Sequence, residues 1–211
     1  MIVCGVDEAG RGPIIGPLVI CGLCADEDEI KNLNVKDSKL LSPKRREYLF
    51  DKIISIAKKY VIKIIPPEKL DEMMKEMTIN EIEEIYFAEV IDDLRPEIVI
   101  VDAVDVDEKR FEDNLKKRLK FETKIISKHK ADRDYPIVSA ASIIAKVTRD
   151  REIEKIKKEI GDFGSGYPAD PRTMNFLMEY YKNNGSLPKY VRKTWKTVRK
   201  ILNSKSNLDR Y

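Results

Sequence analysis

Five short apolar runs, rich in valine and isoleucine, lie along the chain and predict five buried strands. The first two runs are separated by a segment rich in glycine and proline, so we expect these two strands to pair antiparallel through a turn. Two prolines directly after the third run end that strand. The predicted strands cover residues 2–6, 18–25, 60–65, 97–101 and 123–126.

Helical stretches separate and follow these runs. Ser42 and Pro43 have the residue types of an N-cap and a first helical position, and this helix is predicted to reach residue 59. Thr78, with Glu81 three residues later, forms a capping-box pattern at the start of another helix. Strands interleaved with helices, and then helices alone, predict an α/β fold with a mixed sheet and a C-terminal helical appendage. Further helices are predicted between the prolines at 66–67 and Thr78, and over residues 109–119, 137–160, 173–182 and 191–202.

The histidine and cysteine counts restrict the chemistry of the chain. Its single histidine, His129, leaves little room for a four-ligand zinc site or a Ser-His-Asp arrangement, so carboxylates are the expected agents. The odd count of three cysteines predicts no disulfide scaffold and a reducing compartment. Cys21 and Cys24 are expected to be small core residues, since positions three apart in a strand face opposite sides.

Length and composition indicate a cytoplasmic globular protein. The 211 residues suffice for one domain with its own core, and the net charge of +3 is too small to identify a partner. The longest uncharged run, residues 12–25, is short and broken by prolines, so no membrane segment is expected. Abundant lysine and glutamate, with no glutamine, favour a thermophilic source.

Charge is segregated along the chain although its total is small. Residues 68–93 carry ten acidic and two basic side chains, whereas residues 189–205 carry seven basic and no acidic ones. Two interpretations of the basic segment stay open, a solvated helix face or a surface that contacts phosphates. The cations predicted to lie largely off its apolar helical face are Arg192, Lys196, Arg199 and Lys200.

Acidic residues follow three of the predicted strands. Asp7 and Asp102 each end an apolar run, and Asp132 comes shortly after the last run. If the strands are parallel neighbours, the first two carboxylates meet at one edge of the sheet, where ligand sites of open α/β sheets lie. Glu8 joins them only if the chain turns there, since adjacent strand residues face opposite ways. Such a group suits Mg²⁺ or Mn²⁺; the alternative is that these are ordinary turn and cap aspartates.

The glycine-rich stretch after the first strand also admits two interpretations. Gly5 and Gly10 have the spacing of a P-loop, but Arg11 and Gly12 stand where Lys and Ser/Thr are required, which excludes a nucleoside triphosphate site. Gly10 and Gly12 would let backbone N–H groups approach a phosphate or a sugar closely, and a tight hairpin turn is the alternative.

Taken together, these motifs resemble the ribonuclease HII family, in the family's order and over nearly the whole chain. The last matching block resembles the archaeal branch of the family. The matching blocks are 5–13 with 16–17, 37–42 with 46–47, 101–103, 129–132 with 135–146, 164–171 and 195–197.

The resemblance implies the ribonuclease H-like fold, a five-stranded mixed β-sheet flanked by helices, followed here by the C-terminal helical appendage. It implies cleavage of the RNA strand of RNA–DNA hybrids and nicking on the 5′ side of single ribonucleotides in duplex DNA, with 5′-phosphate and 3′-hydroxyl ends. We assign residues 1–170 to the catalytic domain and residues 171–211 to a helical segment with a basic, substrate-facing surface.

By motif position, the family's catalytic and metal-binding acids fall on Asp7, Glu8, Asp102 and Asp132. The resemblance implies that they hold two divalent cations, Mg²⁺ or Mn²⁺, about 4 Å apart, one activating water and the other stabilising the leaving 3′-oxygen. It also implies that the Gly-Arg-Gly segment reads the ribose 2′-hydroxyl and that Tyr167 stacks on the neighbouring sugar. We predict seven substrate-binding residues, of which the lysines and Arg46 contact phosphates. They are Gly10, Arg11, Gly12, Lys39, Arg46, Lys146 and Tyr167.

Other hypotheses stay open beside this one. A related nuclease, such as a resolvase or an integrase-like protein, would share the carboxylates but not the Gly-Arg-Gly and Gly-Tyr-Pro blocks. A non-catalytic hybrid-binding module would need no intact acidic set. His129 either assists proton transfer or product release or is a plain surface residue. Residues 208–211 resemble the end of a sliding-clamp-binding peptide, although Lys205 replaces its glutamine, and a frayed tail is the alternative. A monomer is expected.

Overall fold

The computed structural model describes residues 1–35 and 40–206 of the chain. These residues group into two compact units, each assembled from segments that are distant in sequence. The first unit comprises residues 1–9, 19–64 and 78–148, without the undescribed positions, and the second comprises residues 10–18, 65–77 and the described chain from residue 149. The assignment of domains to residues 1–170 and 171–211 stays a prediction.

The described residues form one mixed sheet, as predicted. The strand order is β3-β2-β1-β4-β5, with β1 antiparallel to β2 and parallel to β4, and with β4 parallel to β5. Each strand coincides with one of the five apolar runs, and β1 continues beyond its run to Ala9. The strands are β1 (Ile2–Ala9), β2 (Leu18–Asp26), β3 (Lys59–Ile65), β4 (Ile98–Asp102) and β5 (Lys124–Lys128).

The helices begin where the capping residues predict. The Ser42 hydroxyl accepts a hydrogen bond from the third residue of α2, and Thr78 and Glu81 form the expected capping box of α4. Two short helices, α1 and α6, were not predicted. The helices are α1 (Glu27–Asn32), α2 (Pro43–Ile56), α3 (Pro67–Met73), α4 (Ile79–Leu94), α5 (Glu108–Arg118), α6 (Ala131–Asp134), α7 (Pro136–Ile160), α8 (Pro171–Asn184) and α9 (Lys196–Ser206). Among the described helices, none is both long and apolar enough to span a bilayer.

The predicted helix over residues 191–202 is wrong at its start. Helix α9 begins only at Lys196. Val191 instead forms an isolated antiparallel β-bridge with Ile15, and the backbone N–H of Arg192 donates to the carbonyl of Ile14 at 2.8 Å. Pairing with a distant segment therefore replaces helix at these positions.

The first unit packs its strands directly against the long helix α7. A Cβ atom at Gly5 would lie 2.8 Å from the backbone carbonyl carbon of Ile137, so only glycine allows β1 to approach the helix this closely. On the opposite face of the sheet, Val6 on β1 and Val101 on β4 are fully buried. This packing fixes the strand that carries Asp7.

The expectation that the cysteines form no disulfide is wrong for one pair. Cys4 on β1 and Cys24 on β2 are direct partners in the antiparallel register, with Cα atoms 4.1 Å apart, and they are disulfide-bonded. Cys21 is a free, buried thiol, as expected of a core residue. The cysteine count does not reveal the pair, because the register between two strands is not visible in the sequence.

Candidate active site

Two aspartates meet at adjacent strands of the first unit. Val6 pairs with Val101 in the parallel register of β1 and β4, so the next residues, Asp7 and Asp102, lie side by side. Their meeting required β1 and β4 to be parallel neighbours, and this pairing is confirmed. The two carboxylates lie at the carboxyl-end side of the sheet, where ligands of α/β folds bind.

Asp132 reaches the same place from the short helix α6, which follows β5. Lys130, just before this helix, has a left-handed φ of 55° that turns the chain out of the strand. The backbone N–H of Lys130 donates a hydrogen bond of 3.0 Å to Oδ1 of Asp102. The segment that carries Asp132 is therefore tied to the end of β4.

The three aspartates form one compact cluster. Each offers a carboxylate oxygen, and these oxygens all lie within 4.8 Å of one another. Asp7 and Asp132 are buried, with 5% and 4% of their surface exposed. Burial raises the pKa of Asp7 well above its ordinary value, and the charges of Glu8 and Asp102 raise it further. Clustered carboxylates are costly unless a cation or a proton balances them, and hard oxygen donors of this kind fit Mg²⁺ or Mn²⁺.

Glu8 directly follows Asp7 in the sequence. It does not belong to the cluster of described residues whose carboxylate oxygens all lie within 4.8 Å of one another. The chain does not turn at Glu8, since β1 continues there with Glu8 paired to Ile20. Its backbone N–H donates to Oδ1 of Asp7 at 2.8 Å, and its carboxylate is close enough to raise the pKa of Asp7. The assignment of Glu8 as a metal ligand stays a prediction.

Two further aspartates that follow Asp102 in the sequence, Asp105 and Asp107, have structural partners. Arg110 forms a salt bridge with Asp105 and holds the pKa of that carboxyl at about 2. Asp107 caps helix α5. Nε2 of His129 lies 2.7 Å from the backbone oxygen of Asp105, and Nδ1 lies 3.3 Å from a carboxylate oxygen of Glu108. His129 therefore braces the loop after β4, and its role in proton transfer stays a hypothesis.

The glycine-rich segment, residues 10–17, lies in the second unit and is more than a hairpin turn. The N–H of Ile14 donates to the carbonyl of Gly166 at 2.8 Å, and the N–H of Gly16 donates to that of Tyr190 at 2.9 Å. The segment is thus held by two distant parts of the chain. Gly10 and Gly16 have φ values of 88° and 92°, which side-chain-bearing residues rarely adopt.

Tyr167 borders this segment at Gly12. A Cβ atom at Gly12 would lie 3.3 Å from Cε1 of Tyr167, whose side chain stays 47% exposed. Thr173 holds the loop that carries Tyr167. Its hydroxyl accepts a hydrogen bond from the N–H of Gly166 and donates one to the carbonyl of Phe163. The structure therefore brings together two of the motifs predicted to bind substrate.

The predicted phosphate contacts have different surroundings. Arg46 is half-buried on α2, and its Nη1 donates to the carbonyl of Leu41 at 3.1 Å. Lys146 is half-buried on α7. Lys39 lies outside the described residues, as does the tail over residues 208–211. The exposed cations of α9 are Lys196, Arg199 and Lys200.

The prediction that Arg192 lies at the surface is wrong. Its side chain is completely buried, and the neighbouring guanidinium of Arg149 is 6% exposed. Both donate hydrogen bonds to carbonyl oxygens of residues 10–17. No local pattern marks these arginines, because a buried arginine and a solvated one look alike in sequence.

Comparison with known proteins gives a consistent picture. The family model described as Ribonuclease HII matches residues 4–198. A relative named Ribonuclease HII, from Pyrococcus horikoshii, is 53% identical over 95% of this chain and 93% of its own length. Another relative of that name, from Pyrococcus furiosus, is 52% identical over 95% of this chain and 91% of its own length.

Solved structures resemble the whole chain as well. The crystal structure of ribonuclease H2 from Pyrococcus horikoshii OT3 has a TM-score of 0.92 at 49% identity, and the match covers 100% of both chains. The ribonuclease HII in a PCNA complex from Archaeoglobus fulgidus has a TM-score of 0.87 at 47% identity, with 93% of this chain and 96% of that chain covered.

Proposed function

This chain belongs to the ribonuclease HII family of metal-dependent nucleases, and we propose that it nicks duplex DNA on the 5′ side of a single embedded ribonucleotide as well as cleaving RNA–DNA hybrids. The products would carry 5′-phosphate and 3′-hydroxyl ends. The observation that carries the proposal is the cluster of Asp7, Asp102 and Asp132, whose carboxylate oxygens lie within 4.8 Å of one another. A non-catalytic hybrid-binding module would have no need of this costly arrangement.

We propose that Asp7, Glu8, Asp102 and Asp132 hold two divalent cations, Mg²⁺ or Mn²⁺. When bound, such a pair supplies an activated water and stabilises the leaving 3′-oxygen. Asp7 would hold a cation from a buried position, with the carboxylates of Glu8 and Asp102 close enough to raise its pKa. The hydrogen bond from the Lys130 N–H orients the Asp102 carboxylate.

Substrate selection is assigned to the second unit. The backbone of Gly10, Arg11 and Gly12 would contact the ribose 2′-hydroxyl, the group that distinguishes RNA from DNA at a single nucleotide. Tyr167 would stack on the neighbouring sugar, and its half-exposed ring beside Gly12 supports that role. The predicted phosphate contacts are Lys39, Arg46, Lys146 and the exposed cations of α9.

The deciding experiment uses a labelled DNA duplex with one ribonucleotide, incubated with Mg²⁺ and then with EDTA. A metal-dependent nick on the 5′ side of the ribonucleotide supports the full proposal. Cleavage of a continuous RNA–DNA hybrid alone would keep the metal site and overturn the assignment of residues 10–12 and Tyr167. Cleavage of neither substrate, with hybrid binding retained, would favour the binding module. Cleavage by the Asp7→Asn variant would refute the metal-site assignment.

Binding to a sliding clamp is a second proposal, favoured by the structural relative that is complexed with PCNA. We assign this contact to residues 205–211, whose last four resemble the end of a clamp-binding peptide. Gel filtration of the full chain with a clamp, compared with a chain ending at residue 204, tests it. Co-elution of both chains alike would refute the role of the tail. The same measurement tests the expected monomer.

A further inference from the structure

The buried side chain of Arg192 bonds to both ends of the glycine-rich segment. Nη2 donates to the carbonyl of Gly10 at 2.5 Å, and Nη1 donates to that of Arg11 at 3.0 Å. Nε donates to the carbonyl of Gly16 at 3.0 Å. One rigid guanidinium group thus fixes three carbonyl oxygens of a single loop.

The hydrogen bonds from Arg192 to the carbonyls of Gly10 and Arg11 also orient the N–H group on the other side of each peptide bond. The carbonyl of one residue and the N–H of the next share a rigid plane. When the carbonyls of Gly10 and Arg11 are fixed, the N–H groups of Arg11 and Gly12 are fixed with them. These are two of the backbone groups assigned above to the ribose 2′-hydroxyl.

Arg192 is itself held firmly. The flanking backbone pairs with the loop through Val191, and the guanidinium carbon lies 4.8 Å from the ring centroid of Trp195. The carboxylate of Asp71 accepts hydrogen bonds of 2.9 and 3.0 Å from the N–H groups of Lys193 and Thr194. It also accepts one of 2.6 Å from the Thr194 hydroxyl. The segment that carries Arg192 therefore cannot shift without breaking these hydrogen bonds to Asp71.

A second buried arginine completes the arrangement. Arg149 donates to the carbonyl of Pro17 at 2.9 Å and to that of Ile15 at 3.2 Å. A Cβ atom at Gly10 would lie 2.5 Å from Cδ of Arg149, so this side chain also limits where the loop backbone can lie. Arg149 holds the downstream half of the loop, and Arg192 holds the part that contains the N–H groups in question.

We infer that Arg192 is a positioning residue for ribose recognition, which orients the N–H groups of Arg11 and Gly12 through their peptide planes. The inference rests on the proposed function of the Gly-Arg-Gly segment. A lysine could not replace Arg192, because its ammonium group lacks the planar fork that reaches three carbonyls at once.

The test compares cleavage by wild type and by Arg192→Lys on two substrates, a duplex with one ribonucleotide and a continuous RNA–DNA hybrid. The continuous hybrid presents a 2′-hydroxyl at every nucleotide, so a loosely held loop can still meet one. We expect kcat/KM for the single ribonucleotide to fall at least about tenfold more than kcat/KM for the hybrid. Amide hydrogen exchange at Ile14 and Gly16, whose N–H groups are hydrogen-bonded in the loop, should accelerate, with exchange in β4 and β5 unchanged.

Leu177→Ala is the matched control, because it opens the apolar core of the same unit and removes none of the loop's hydrogen bonds named above. It should lower the melting temperature without changing the ratio between substrates. An equal fall on both substrates for Arg192→Lys, with unchanged exchange at Ile14 and Gly16, would overturn the inference. If wild type cleaves the hybrid but not the single ribonucleotide, the proposed function of the loop fails instead.

Asp71→Asn keeps the test decisive if Arg192→Lys does not fold. This variant weakens the hydrogen bonds that Lys193 and Thr194 donate to residue 71, and it leaves the Arg192 side chain in place. We expect a smaller change of the substrate ratio in the same direction, with faster exchange at Ile14 and Gly16. No change in either quantity would overturn the inference.

Discussion

The backbone N–H of Lys130 donates a hydrogen bond to the Asp102 carboxylate, which joins the end of β4 to the segment that carries Asp132. The backbone thereby holds the Asp102 carboxylate and ties the segment that carries Asp132 to the same strand end. Asp7, on the strand beside β4, completes the cluster from a buried position. Because a cation or a proton must balance these clustered charges, their repulsion lowers the stability of the folded protein when no cation is bound.

Asp7→Asn should therefore abolish cleavage and stabilise the metal-free protein. Loss of a ligand at the reacting centre should lower kcat by about 100-fold or more. Removing one of the clustered charges should raise the melting temperature in EDTA, by about 2–4 °C for each kcal/mol of repulsion relieved. A cleavage assay checks the first effect, and thermal unfolding with and without Mn²⁺ checks the second. The variant should gain less stability from Mn²⁺ than wild type does.

The raised pKa of Asp7 also predicts the direction of a pH effect on the metal-free protein. Its pKa is higher in the folded state than in the unfolded chain, so the folded state binds the proton more tightly. Its contribution to stability is present below the unfolded pKa and is lost as the pH rises through the folded pKa. Urea unfolding in EDTA should show wild type losing stability relative to Asp7→Asn as the pH rises. A constant difference would contradict this origin of the pKa shift.

Asp105→Asn should give the opposite pH dependence and leave the metal site intact. Arg110 holds the pKa of Asp105 at about 2, below its ordinary value of 3.8, so its stabilising effect is present above that ordinary value. We expect the variant to be less stable than wild type at pH 7, with the difference disappearing as the pH falls from about 4 to about 2. Unfolding curves at several pH values measure this, and Mn²⁺ binding by calorimetry should be unchanged.

Gly10→Ala should cost more stability than Gly185→Ala. Both glycines have positive φ values, 88° and 73°, and alanine at either position costs about 1–2 kcal/mol. The space around Gly185 is open, whereas a Cβ at Gly10 would press on Arg149, which adds about 1–3 kcal/mol. Chemical denaturation compares the two variants, and equal losses would show that the loop yields to the added atom. Only Gly10→Ala should impair cleavage.

The cysteines predict a simple count of reactive thiols. Without reductant, the denatured chain should show one reactive thiol, from Cys21, and three after reduction. Because the Cys4–Cys24 bond spans 20 residues, reducing it should lower the free energy of unfolding by about 3 kcal/mol. Cys24→Ser should reproduce this loss, and adding reductant to that variant should change nothing more. Three reactive thiols before reduction would show that the bond does not form.

Local sequence patterns predicted the parts of the site that depend on strand ends. Asp7, Asp102 and Asp132 are candidates because each follows a short apolar run, whose end is visible without knowledge of the fold, and the family resemblance then assigns them to the metal site. The capping box of Thr78 and Glu81 is equally local. The first strand was predicted too short, since pairing with β2 carries β1 through the polar residues Asp7 and Glu8.

The parts that could not be predicted depend on pairing between distant residues. Val191, with its apolar neighbours at helical spacing, indicated a helix, but its backbone pairs with Ile15 instead. The same pairing buries Arg192, which the helical pattern placed largely off the apolar face. The partner of Cys4 depends in the same way on the register of two strands. In each case a contact across the chain overrides the local preference.

The bond between Cys4 and Cys24 has one more consequence. It closes a covalent ring that contains the whole first motif, including Asp7, Glu8 and the glycines at 10 and 12. A protease that cuts once anywhere inside this ring leaves a single covalent molecule, with both new ends tethered to the strands they came from. The nicked protein would migrate as one band in electrophoresis without reductant and separate into two fragments only after reduction.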